Sequence, residues 1–314
     1  MAIDVHCHLW TRDYIPEPYL ADMAKFLAGY KTGQGQPTTP QQIDKEMFPI
    51  FWDADGSKLL AQMDEAGIQK AVLLPIDLGL CHGEAERTIE EHNRHLAEVA
   101  RRHPDRFVAF FSIDPRRHGA LDMFKRSVKE WGCRGIKYFP SSGFRPDEEP
   151  ALSLLKQAAE WGLPALIHTG PEFPPFDPQL GHPSILDKVL VKLPDLTVIA
   201  GHLGMSFWRD LVKIAQERPN LMCDVSAFQL AALNNRPQFC HILRRAMNGF
   251  GAERMMFGTD APPFDPFVSK KQWVQFFNDL PGKAPEGVSF SQQEVQALLH
   301  GNAQRLLSRI PRNL

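Results

Sequence analysis

Along most of the chain, short apolar runs rich in β-branched and aromatic residues alternate with longer stretches whose apolar residues recur at helical spacing. The runs at 2–6, 71–76, 107–113, 134–139, 164–168, 196–200, 221–225 and 254–259 predict eight strands. Between them Leu121, Phe124, Val128 and Trp131 share one helical face, as do Ile89, Leu96 and Val99. The same spacing joins Phe239, Ile242 and Ala246, and then Val295, Leu298 and Leu299. Glycines punctuate the helix ends, with Gly67 after Ala66, Gly132 after Trp131 and Gly162 ahead of Pro164. Eight strands, each followed by a helix, predict an α/β fold: a (β/α)8 TIM barrel forming a single domain over 1–314. A doubly wound sheet is the alternative, but no Gly-x-Gly-x-x-Gly pattern follows the first strand.

The pattern breaks once. Residues 9–56 separate the first strand from the helix around 59–66 and are rich in aromatics, among them Trp10, Tyr14, Tyr19, Phe26 and Tyr30. Within this insertion, 29–42 is a turn-rich stretch expected to be flexible. An insertion after the first strand falls at the C-terminal face of a barrel, where active sites lie. It is read as a lid or substrate wall, with a subunit-contact arm as the alternative; its apolar residues would suit a homodimer.

The 314 residues carry 35 Lys+Arg against 37 Asp+Glu, a net charge of −2, which argues against a general nucleic-acid binder. No apolar run reaches the roughly 18 residues of a membrane span. The five cysteines lack Cys-x-x-Cys spacing, and residues 1–6 show no secretory leader. These features lead to the expectation of a reduced, cytoplasmic protein acting on a small molecule.

The candidate chemistry sits at predicted strand ends. Strand alternation puts Asp4, His6 and His8 on one face, expected to point inward, and Ile3, Val5 and Cys7 on the other, so a nucleophilic role for Cys7 is not expected. Two imidazoles two residues apart can reach one ion from one direction. His168 closes the fifth strand, His202 follows the sixth, Asp260 closes the eighth, and Lys137 lies in the fourth. Strand-end polar groups converge at a barrel mouth, and histidines with one aspartate suit Zn²⁺ or a similar first-row ion with an open water position. Trp10, Arg12, Arg145 and Glu172 are candidate substrate contacts, and 171–176 and 261–264 read as rigid, proline-rich walls.

The ordered motifs IDVHCH at 3–8, GIKYFP at 135–140, LIHTG at 166–170, GHLG at 201–204, FGTDAP at 257–262 and GNAQRLL at 301–307 resemble the amidohydrolase superfamily. The nearest branch is the amidohydrolase-2 group that includes aminocarboxymuconate semialdehyde decarboxylase. The resemblance implies His6, His8, His168 and Asp260 as metal ligands and His202 as a catalytic group. It implies one divalent ion, zinc foremost, or two if Lys137 is carbamylated; Lys137 is read here as an ammonium that contacts substrate. Several aromatic-acid decarboxylases of this branch open with Glu-x-Ala or Glu-x-His, whereas this chain has His-x-His. That leaves a decarboxylase open through the His-x-His subset without favouring it, and the activity expected first is hydrolysis: a metal-activated water attacks an ester, lactone or amide carbonyl of a small carboxylated or aromatic substrate. Asp260 would accept the proton and His202 would orient the nucleophile. The alternative is a carboxy-lyase, a nonoxidative decarboxylase in which His202 or Asp260 delivers a proton to carbon on the same metal site. A barrel kept only as a binding scaffold would have little reason to gather these polar residues.

Overall fold

The structure is a computed structural model that describes residues 1–311. Its strands are β1 (Ala2–Cys7), β2 (Ile68–Leu73), β3 (Phe107–Ala109), β4 (Phe111–Ser112), β5 (Ile136–Tyr138), β6 (Ala165–Ile167), β7 (Val198–Ala200), β8 (Leu221–Asp224) and β9 (Met255–Met256). All pair in parallel, in the orders β1-β2-β3 and β4-β5-β6-β7-β8-β9. β3 and β4 are halves of one barrel strand that changes partner at Phe110: the Phe110 amide donates to the Leu73 carbonyl, and the Phe111 amide to that of Gly135. The ring closes between β9 and β1, where Val5 N donates to Phe257 O at 3.0 Å and Asp260 N to His6 O at 2.7 Å. The molecule is a TIM barrel.

Alternation along the short strands separates two cores. Ala71, Leu73, Ile136, Tyr138, Ala165 and Ile167 face the surrounding helices. Val72, Leu74, Phe110, Leu166, Ile199 and Met256 fill the barrel interior, and the helix Asn302–Arg309 adds Ala303 and Leu306. That helix lies beside Pro164 and Thr197, at the N-terminal ends of the strands, so the barrel is plugged there and open at the other end. Gly135 is required by this packing: a Cβ would stand 2.6 Å from the Phe110 ring.

Three expectations need correction. First, Ile3 and Val5 lie in the interior cluster, whereas Asp4 bonds outward to the Thr259 turn. A register irregularity between Asp4 and Cys7 inserts a residue into β1, so Val5 and His6 do not alternate as a regular strand would. His6 and His8 still reach the interior, and Cys7 packs with the helix-facing core. Second, the ladders are shorter than the apolar runs; β9 covers only Met255–Met256, because the chain turns at Gly258–Asp260, where Asp260 has φ +50. Third, the insertion is not flexible at 29–33. A helix, Glu17–Gly33, runs through Gly29 and Gly33 because Leu20, Met23, Ala24, Leu27 and Ala28 form a buried stripe that outweighs the two glycines. Only residues 34–39 of the expected flexible stretch lie outside helix, and Thr39 then caps the turn Pro40–Gln42.

Candidate active site

At the open end, the insertion roofs a cavity of about 350 Å³ whose floor holds His6, His8, Lys137, His168, His202 and Asp260. The polar strand-end residues that the sequence singles out therefore do meet. The backbone is strained there as well: His202, Leu203 and Met205 after β7, Ala227 after β8 and Asp260 after β9 all have positive φ. Non-glycine residues in this region cost free energy and cluster at functional sites.

Each imidazole of the His-x-His pair is held by one nitrogen and offers the other. His6 Nδ1 pairs with Asp224 Oδ2 at 2.9 Å, and His8 Nδ1 donates to the Leu74 carbonyl at 2.6 Å. The Nε2 atoms converge on Asp260 Oδ1, 3.5 Å from His6 and 3.2 Å from His8. These three donor atoms lie within 4.8 Å of one another. Two imidazoles and a carboxylate, with the rear nitrogens fixed by a carboxylate and a carbonyl, fit a divalent first-row ion. Gly258 allows the approach: a Cβ there would lie 2.9 Å from that of His6.

His168 stands apart from that triad. Its Nδ1 meets His202 Nε2 at 3.0 Å, while its Nε2 faces the Gly170 carbonyl at 3.3 Å and Glu172 Oε1 at 3.4 Å. His202 Nδ1 bonds Ser226 Oγ at 2.8 Å, and its ring stacks on His6 with centroids 4.4 Å apart. Lys137 points inward and donates to His6 Nε2 at 2.9 Å.

Burial dominates the electrostatics. It holds His6 and His202 well below the ordinary histidine range and His168 down to about 3, helped by the Lys137 charge at His6 and His168. These imidazoles are neutral at pH 7, as metal binding requires. Burial lowers Lys137 to about 8. Glu172 is raised to about 8 by burial and by the charge of Asp260.

Of the candidate substrate contacts, Trp10 and Glu172 line the cavity. Arg12 does not: it pairs with Glu17 and Asp44, both at 2.8 Å, and braces the insertion. Arg145 is likewise engaged by Asp147 and Glu148. The strand-end inventory missed Asp224 and Ser226. Asp224 accepts from His6 Nδ1, from the His202 amide at 3.1 Å and from the Ser226 amide at 3.0 Å, and with His6 and His202 it forms a second close donor cluster. Its signal was its place at the C-terminal end of the seventh barrel strand.

The Amidohydrolase (Amidohydro_2) family model matches residues 3–309. No curated protein matches the chain. Among solved structures, an uncharacterised TIM-barrel protein from Bordetella bronchiseptica is 22% identical with TM-score 0.70, covering 98% of this chain and 99% of that one. The 5-carboxyvanillate decarboxylase of Sphingomonas paucimobilis is 16% identical with TM-score 0.68, covering 99% of each chain. A dihydroxybenzoic acid decarboxylase from a Polaromonas species, solved with manganese and the inhibitor 2-nitroresorcinol, is 20% identical with TM-score 0.66, covering 100% of this chain and 98% of that one.

Proposed function

The chain belongs to the amidohydrolase family, and we propose that it is a metal-dependent carboxy-lyase that removes CO₂ from an aromatic or unsaturated carboxylic acid. The observation that carries this reading is the charge layout of the cavity. Lys137 is the only lysine or arginine among the described lining residues, and it stands on the floor beside the His6, His8 and Asp260 donors. A carboxylate is the substrate group such a floor attracts, and the walls above it are mainly aromatic and aliphatic. The decarboxylases of similar fold add to the case, and together these points move the reading from the hydrolysis expected from sequence to its alternative.

A divalent ion held by His6, His8 and Asp260 would polarise the substrate carboxylate as a Lewis acid. Lys137 binds the same carboxylate through its Nζ and orients it. Asp224 keeps the His6 ring fixed through Nδ1, and Ser226 does so for His202. The carbon–carbon bond breaks with its electron pair left on the substrate carbon, CO₂ departs, and a proton must reach that carbon. That proton comes from solvent water and is passed to the carbon through Asp260 Oδ or His202 Nε2, both of which line the cavity. The apolar walls keep bulk water from competing for the carbon. The donor set accepts manganese as well as zinc, so the metal is proposed as a divalent ion of either kind.

The test is to reconstitute the protein separately with Mn²⁺ and Zn²⁺ and offer carboxyl-¹³C 2-hydroxybenzoic and cinnamic acids beside a panel of lactones and amides. Metal-dependent ¹³CO₂ release is expected. Hydrolysis of a lactone or amide, with no CO₂ from either acid, overturns the reading in favour of the hydrolase.

A further inference from the structure

The cavity is larger than the acid group and one ring require. An apolar cavity of about 150 Å³ accommodates a benzene molecule, whereas this one measures about 350 Å³, so room remains beyond a ring and its acid group. The lysine and carboxyl side chains lining it are those of Lys137, Glu172 and Asp260, all placed by the strand ends or the loop after β6. The insertion helix Glu17–Gly33 contributes Tyr19, Met23, Phe26, Leu27 and Tyr30 and no charge. Leu230, Phe264 and Phe267 also line the cavity, with the Tyr30 and Phe267 rings 5.9 Å apart.

Ring contacts run from the donor cluster to solvent. His8 and Trp10 lie 5.9 Å apart between centroids, Trp10 and Tyr19 6.5 Å, Tyr19 and Phe173 5.5 Å, and Phe173 and Phe26 5.4 Å. Exposure rises along this line from 1% at Trp10 to 48% at Phe26, so the wall leads outward from the floor to the rim.

Building on the carboxy-lyase reading, we infer that the substrate is a monoacid with a long uncharged apolar substituent. The carboxylate lies at Lys137 and the substituent lies along the aromatic wall towards Phe26. A second carboxylate on that substituent would have no countercharge in the outer cavity and would lose its hydration there. Each methylene moved from water into the cavity strengthens binding by about 0.8 kcal/mol, a three- to fourfold gain.

The experiment uses the metal-reconstituted full chain and a series of 2-hydroxybenzoic acids bearing 4-alkyl groups from methyl to pentyl, with a 4-(4-carboxybutyl) analogue as the charged control. Affinity by calorimetry and kcat/KM for CO₂ release are both read. Affinity is expected to rise about threefold per added carbon and to collapse for the charged analogue. Leu27→Asn and Leu230→Gln should each reduce the pentyl-to-methyl affinity ratio at least threefold. A flat or falling series in the parent protein overturns the inference, as does tighter binding of the diacid than of the pentyl acid. Rising affinity without CO₂ from any member supports the apolar tail site and overturns the carboxy-lyase reading instead, which keeps the two failures distinct.

Discussion

Asp224 shows how far single residues could be read. The His-x-His pair, His168, His202 and Asp260 were legible because each lies at the end of an apolar run. Asp224 ends such a run as well, but an aspartate beside a turn is unremarkable in one dimension. Its role appears only when the barrel closes and its carboxylate meets His6 Nδ1 and the His202 amide. The inward face of β1 was likewise misjudged at Asp4, because period-two alternation has no means of locating a bulge. If Asp224 fixes His6 for the ion, Asp224→Asn should weaken metal binding roughly 10- to 100-fold, the usual effect of removing a carboxylate behind a ligating imidazole. Metal titration by calorimetry checks this; unchanged affinity in a folded variant would remove Asp224 from the metal site.

At the level of elements, the alternation of strand and helix was readable nearly end to end, because each barrel strand is a buried apolar run and each helix has one apolar face. Strand bounds were less readable, since apolar runs continue beyond the hydrogen-bonded ladder, as at 254–259. The insertion failed for a physical reason: two glycines signal a turn locally, but the stripe Leu20, Met23, Ala24, Leu27 and Ala28 gains burial only through contacts with the rest of the molecule. A direct consequence is testable. Gly29 sits inside that helix without a positive φ, and a Cβ there meets nothing within 4 Å. Gly29→Ala should therefore stabilise the protein by about 0.4–1 kcal/mol, through helix propensity and a less flexible unfolded chain. An upward shift in the urea midpoint checks it; destabilisation would argue that residue 29 is not held in helix.

For the whole molecule, folding buries neutral imidazoles both in the barrel mouth and beneath the insertion, and this couples stability to pH. His92 is an example outside the metal site: it is buried, stacks on Tyr14 with centroids 4.6 Å apart, and is lowered by burial from 6.5 to about 3. Between those two values the unfolded chain binds a proton that the folded chain refuses. The His92 contribution is therefore nil above about pH 6.5 and increasingly destabilising as the pH falls towards 3. Comparing urea unfolding at pH 7 and pH 4.5, His92→Asn should shrink the acid-induced loss by about 2–3 kcal/mol. An identical loss in the variant would mean that His92 is protonated in the folded state.

The central claim is that this barrel mouth exchanges a carboxylate for a proton on carbon. Its most direct test is turnover in D₂O of the metal-reconstituted protein with a carboxyl-¹³C 4-pentyl-2-hydroxybenzoic acid, followed by NMR, with Asp260→Asn as the control. The account predicts one ¹³CO₂ and one deuterium at the vacated ring carbon per turnover, both abolished in the control. The substrate returned unlabelled and intact, while the same preparation opens a lactone at a rate that depends on Asp260, would contradict it.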